Sequence, residues 1–134
     1  KNDGPTLPLA RAELASLAVV GTLATVPNLG DLGCSIVLPS PVVTTLAGIE
    51  QAAGAVSVTS IAGPPLDPAD AAAVAAADAA IVVVGLTSDD EGEGFVTHGD
   101  RDSLVLPRDQ DALVAAVAAL NPARSCCCRA ADPC

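Results

Sequence analysis

Asp89, Asp90, Glu91 and Glu93 stand almost side by side in this chain, and Asp100-Arg101-Asp102 follows shortly after. Carboxylates at this density are suited to two kinds of chemistry. They can transfer protons, because like charges push one another's pKa up toward the range a general acid needs. They can also wrap a hard cation in oxygens. Asp89-x-Glu91-x-Glu93-Gly94-x-Val96, closed by Asp100, imitates a twelve-residue calcium loop with glycine sixth and an acid twelfth. Calcium loops of that kind are entered from a helix, whereas a strand precedes this one, and Glu is bulky at the third and fifth places. The cation reading is therefore the weaker of the two. Acidic loop residues are most often plain solvated surface, so the case for a site rests on where the loop lies.

It lies directly after Ile81-Val82-Val83-Val84-Gly85, an uncharged β-branched run that ends at a glycine. In an open α/β sheet, function collects just beyond the carboxyl ends of strands, where loops are free of packing duties. The rest of the chain supplies such a sheet. Residues 17–21 read as a short buried strand, and a loop rich in turn formers runs from there to Pro41. A helix fits residues 42–53, with Ser40-Pro41 as cap and first-turn proline and with Leu46, Ile49 and Ala53 on one face. Residues 55–60 read as a second strand, and Gly63-Pro64-Pro65 as a turn. Asp67 caps and Pro68 opens an alanine-rich helix to about residue 77. Residues 80–85 form the third strand. Residues 107–120 form a helix with Leu113, Val117 and Leu120 on one face and Asp109 and Asp111 in its first turn. The alternation of strand and helix implies parallel strands and a three-layer α/β/α sandwich.

At 134 residues the chain is one domain long, and 51% of its residues are hydrophobic. Its core must be built from Ala, Val and Leu, since it has one Phe and no Trp, Tyr or Met. The formal net charge of −10 gives no basic footprint. Nucleic-acid binding and attraction to anionic membranes are therefore excluded as expectations. No apolar run approaches the roughly 20 residues that span a bilayer. G-x-G-x-x-G and Walker A patterns are absent, so no nucleotide cofactor is expected. The start, Lys1-Asn2-Asp3-Gly4, has neither a Met nor a signal-peptide layout, and the chain is expected to be a piece of a longer one.

The C-terminus departs from the pattern. A helix over 107–120 should deliver the chain to another strand, yet the stretch from Ala123 to Cys134, with Cys126-Cys127-Cys128 at its centre, has no strand character. Its cysteines fit neither zinc-ligand nor disulfide spacing, and no metal site is expected there. If Ser125 is TCG and each Cys is TGC, reading two bases later gives Val-Leu-Leu, a buried strand. The expectation is a domain over residues 1–122, followed by a non-native or disordered Cys-rich tail over 123–134 that arises from a displaced reading frame.

Several segments, taken in order, resemble the C-terminal α/β domain of glycoside hydrolase family 3, the family of β-glucosidases and β-xylosidases. Lys1-Asn2-Asp3-Gly4 with Leu7-Pro8-Leu9 is similar to its KNDG-x-LPL opening. Leu17-Ala18-Val19-Val20-Gly21 resembles its AVVGP strand, with Thr22 in place of proline. Asn28 to Ser35 resembles LGDxGSS, and Pro39 to Thr44 resembles PPxVVTP, with Thr45 replacing the proline. Gly92-Glu93-Gly94-Phe95 and Asp100-Arg101-Asp102-Ser103-Leu104 resemble EGF and DR-x-L.

The resemblance implies a retaining β-glycosidase acting on terminal β-linked sugars without a cofactor. Its nucleophile would lie on an N-terminal (β/α)8 barrel, the expected partner, and its acid/base on this domain. It places that acid/base on Glu93, with glycines on either side that let the backbone approach the glycosidic oxygen. Glu91 and Phe95 are weaker candidates for substrate contact, Phe95 being better suited to anchoring the loop. Asp100 and Arg101 are expected to pair and pin the loop, and His98 to face solvent. The fragment alone is expected to be inactive. A carbohydrate-binding or scaffold module would want aromatic platforms that are missing here, and a vestigial, inactive fragment would follow from the displaced frame.

Overall fold

The computed structural model describes residues 7–29, 38, 40–90 and 103–121, together with the backbone of Arg124–Arg129. Four strands make one parallel sheet: β1 (Ser16–Val20), β2 (Ser57–Ile61), β3 (Ala79–Gly85) and β4 (Arg124–Arg129), in the order β2-β1-β3-β4. Helix α1 (Thr45–Ala53) joins β1 to β2, α2 (Pro68–Ala76) joins β2 to β3, and α3 (Gln110–Leu120) joins β3 to β4. The expected α/β/α sandwich is what forms.

Alternation along the strands decides which helix packs where. Ala18 and Val20 of β1 and Ala80, Val82 and Val84 of β3 share a cluster with Ile61, Val74 of α2, and Leu113 and Val117 of α3. The intervening residues face the other way. Leu17 and Ala79 pack with Ala53 and Ile49 of α1, and Val19 and Val83 with Leu46 and Ile49. One helix therefore covers one face and two cover the other. The largest fully buried side chains are valines and one leucine, Leu113, each worth about 1.5–3 kcal/mol on burial. Many modest burials replace the few large aromatic ones of other cores.

Local signals account for most element ends. Asp67 accepts a hydrogen bond from the Asp70 amide at 2.7 Å, and Pro68 occupies the first turn of α2, as expected. The start of α1 differs from expectation. The cap is Thr44, whose Oγ1 accepts from the Ala47 amide at 3.2 Å, and the helix begins at Thr45 rather than after Ser40-Pro41. A hydroxyl three residues before a free amide satisfies one of the four orphan donors of the first turn, which proline placement alone cannot do.

The expectation that no strand follows α3 does not hold. β4 pairs with β3 in register, Val82 with Cys126 and Val84 with Cys128. Backbone hydrogen bonds are blind to side-chain type, so a neighbour with open ladder positions can recruit a segment of poor β-propensity.

Gly21, at the end of β1, has φ 124° and sits against β3 so closely that a Cβ there would lie 2.2 Å from the Val83 carbonyl oxygen. Its amide donates to the Ile61 carbonyl at 2.8 Å. Thr22, at the position where the family motif has proline, turns its hydroxyl toward the carbonyls of Ala62 and Gly63, both at 3.1 Å. The exits of β1 and β2 are thereby tied together. Among the described residues no helix is long and apolar enough to cross a membrane.

Candidate functional site

The strand order creates a topological switch between β1 and β3. From β1 the chain leaves toward α1 on one face, and from the adjacent β3 it leaves toward α3 on the other. In parallel sheets, connections that diverge in this way mark the usual ligand position, at the carboxyl ends of the two strands. The carboxylate-rich connection departs from the carboxyl end of β3, at this switch.

The base of the connection is tightly organised. Gln110, the first residue of α3, is 5% exposed, and its side-chain amide brackets the backbone of Gly85 at the end of β3. Its Oε1 accepts from the Gly85 amide at 2.6 Å, and its Nε2 donates to the Gly85 carbonyl at 2.9 Å. Gly85 takes φ 148° there, a conformation that side chains resist.

A second tie lies further along the connection. Both oxygens of Asp90 receive the Arg108 guanidinium, Nη1 on Oδ1 and Nη2 on Oδ2, each at 2.5 Å. Oδ2 also accepts from the Thr87 amide at 2.7 Å and the Thr87 hydroxyl at 2.8 Å. The Arg108 hydrogen bonds are the largest influence on Asp90; partial burial opposes them and the Thr87 donors reinforce them, bringing its pKa down to about 2. The same pairing raises the pKa of Arg108. Arg108 and Asp109 hold φ values of 57° and 54°, left-handed conformations that cost a non-glycine residue about 1–3 kcal/mol. Strain of that kind persists where surrounding contacts over-determine the backbone, and here the fork of Arg108 supplies them.

Two side chains outside the site hold the frame. Asp78, just before β3, accepts from the amides of Ala15 and Ser16 at 2.8 and 2.9 Å and from the Ser16 hydroxyl at 3.2 Å. The two backbone donors, then the hydroxyl, lower its pKa. Asn121, 2% exposed, donates from Nδ2 to the carbonyls of Val74 and Ala77 at 2.9 and 2.6 Å and so closes the C-terminal end of α2. Helix α3 is thus fastened at its start by Gln110 and just beyond its end by Asn121.

Glu93, Glu91, Phe95, His98, Asp100 and Arg101 lie outside the described residues. The described pair at the base of the connection is Asp90 with Arg108, two residues that nothing in their sequence spacing joins. By sequence Asp90 is an uncompensated like charge beside its acidic neighbours; in the fold Arg108 cancels its charge locally. Gln110 likewise escapes a reading of the sequence, although a polar residue leading into the apolar face of Leu113 and Val117 is the available signal. Among the described residues no group of three His, Cys, Asp or Glu side chains is arranged to hold a metal.

The sequence profile of the Glycosyl hydrolase family 3 C-terminal domain matches residues 1–128. The chain is similar in structure to the β-D-glucoside glucohydrolase of Trichoderma reesei, with TM-score 0.79 and 28% identity over 98% of this chain and 21% of that one. The family 3 β-glucosidase of Bifidobacterium adolescentis is 30% identical, with TM-score 0.73 over 96% of this chain and 19% of that one. A family 3 β-glucosidase of Neurospora crassa gives 26% identity and TM-score 0.70 over 98% and 18%. The chain therefore spans about one fifth of the length of the enzymes it matches. A search of curated proteins finds no match. With the profile aligned from the first residue to within β4, this chain belongs to the glycoside hydrolase family 3 C-terminal domain family.

Proposed function

We propose that this domain is the second domain of a retaining β-glycosidase of β-glucosidase type, and that it lends the carboxylate-bearing connection after β3 to an active site completed by a (β/α)8 barrel. The observation that carries the reading is the position of that connection in a domain of this family. It springs from the switch point of the sheet, and its base is fixed by Gln110 and by the Asp90–Arg108 pair.

Glu93, held in Gly92-Glu93-Gly94-Phe95, is the proposed acid/base. In the first step a barrel carboxylate attacks the anomeric carbon, the bond to the leaving oxygen breaks, and Glu93 delivers its proton to that oxygen. In the second step water attacks the same carbon and gives a proton back to Glu93, and the bond to the barrel carboxylate breaks. The substrate is a β-linked oligosaccharide or glycoside. Glu91 and Phe95 are proposed to border it, and Asp100 with Arg101 to support the loop. For residues 123–134, we propose that a displaced reading frame supplies the sequence that β4 accommodates; coding DNA with no alternative frame for an apolar strand would end that proposal.

The test is complementation on a chromogenic β-glucoside. The chain alone is expected to give no turnover, and adding a family 3 barrel domain to restore it. Loss of the restored activity in Glu93→Gln supports the reading. Indifference to Glu93→Gln points instead to a non-catalytic binding or scaffold module, and failure of every barrel to restore activity points to a vestigial domain.

A further inference from the structure

We infer that Asp90 and Arg108 are positioning residues for the proposed acid/base, acting as a clasp across the connection that carries Glu93. The inference rests on the reading of Glu93 as that acid/base. It adds two residues that lie outside both the Gly92–Phe95 and the Asp100–Leu104 motifs.

The connection from β3 to α3 is closed by two rungs. The inner rung is Gly85 with Gln110, 25 positions apart in the chain. The outer rung is Asp90 with Arg108, 18 positions apart. Only the inner rung belongs to the core. It is buried, and Gln110 leads into the apolar face of α3. The Arg108 side chain is 51% exposed and that of Asp90 15%, so the outer rung contributes little to the packing of the sheet and helices. Strand and helix are already held together without it.

Its geometry is nevertheless specific. A forked guanidinium on both carboxylate oxygens fixes direction as well as distance. Thr87 holds the same carboxylate from its own backbone and hydroxyl, and the Asp90 amide donates back to the Thr87 carbonyl at 2.9 Å. Arg108 holds a left-handed conformation, φ 57°, while making this contact. Leu106 packs against the core just before Arg108, and the Asp90–Arg108 fork adds to that packing a defined direction and distance between positions 90 and 108. Glu93 follows Asp90 by three residues, and it must come within hydrogen-bond reach of the glycosidic oxygen. A displacement of 1 Å in such a group can cost on the order of 100-fold in rate.

Leaving-group dependence tests this, with the full 134-residue chain paired with a family 3 barrel. kcat/KM is measured for β-glucosides of 2,4-dinitrophenol, which needs no acid to depart, and of 4-methylphenol, which does. Asp90→Asn and Arg108→Met are expected to lower kcat/KM about 10- to 100-fold for the methylphenyl glucoside and less than about threefold for the dinitrophenyl one. Arg108→Lys, which keeps the charge but not the fork, should fall between. Equal losses on both substrates would make the pair merely structural and overturn the inference. Selective loss in Glu93→Gln, with none in the clasp variants, would overturn the inference alone. No selective loss in Glu93→Gln would overturn the reading of Glu93 itself. On the chain without a barrel, Arg108→Met should speed hydrogen exchange at the Thr87 and Asp90 amides while leaving β1 unchanged. Unaltered exchange at those amides would also refute the clasp.

Discussion

Replacing Gln110 with leucine keeps the bulk of the side chain and removes both of its hydrogen bonds to Gly85. The Gly85 amide and carbonyl, bonded to Gln110 at 2.6 and 2.9 Å, then lose their partner at a buried position. Each unsatisfied buried backbone group costs about 1–3 kcal/mol. The added apolar burial of leucine recovers a part, so the net loss is about 3 kcal/mol. That is a large share of the roughly 5–15 kcal/mol of a typical domain, and for a chain of this length it lowers Tm by about 10 °C. Circular dichroism in the far ultraviolet is the appropriate probe, since the chain has no Trp or Tyr for fluorescence. Gln110→Glu sharpens the test. Ionised glutamate cannot donate to the Gly85 carbonyl, and burial raises its folded pKa above the unfolded value of about 4.3. Its stability should therefore be closest to that of the original chain below about pH 4 and should fall as pH rises through the folded pKa. A Tm change of less than about 3 °C in Gln110→Leu, or a pH-independent Gln110→Glu, would refute the assignment of Gln110 as the tie between β3 and α3.

Gly21→Ala would place a methyl group 2.2 Å from the Val83 carbonyl at φ 124°; a loss of about 3 kcal/mol or more is expected in urea unfolding, and a loss under about 1 kcal/mol would contradict the close approach of β1 and β3. Asp90, with its pKa down at about 2, contributes stability that is fully present above the unfolded pKa of about 3.9 and is lost as pH falls through about 2. Because Arg108 is half exposed, Asp90→Asn should cost only about 1 kcal/mol at pH 7. That gap should narrow from about pH 4 to pH 2, and a gap that widened on acidification would contradict the pairing.

Features encoded within a few residues are legible in the sequence. The Asp67-Pro68 start of α2, the apolar face of Leu113 and Val117, and the β-branched run of β3 all depend on neighbours in the chain, and each appears as expected. Thr44 is harder to find because Ser40-Pro41 is an equally good start by residue type, and only the backbone path decides between them. The Asp90–Arg108 pair is out of reach for a different reason. Its partners stand 18 positions apart, with nothing in the intervening residues to join them, and only the folded chain brings them together. Topology outperforms composition at the C-terminus: a helix placed like α3 must deliver the chain to a strand, and it does, although the side chains of Arg124–Arg129 give no sign of one.

Glu93 is proposed to reach out from the sheet's switch point to a sugar bound on a partner barrel. A crystal structure of this domain assembled with its barrel, holding an unreactive glycoside, measures this directly. The Glu93 carboxyl is expected about 5–5.5 Å from a barrel carboxylate and within hydrogen-bond distance of the glycosidic oxygen. A Glu93 turned away from the sugar, with another carboxyl beside the glycosidic oxygen, would contradict it.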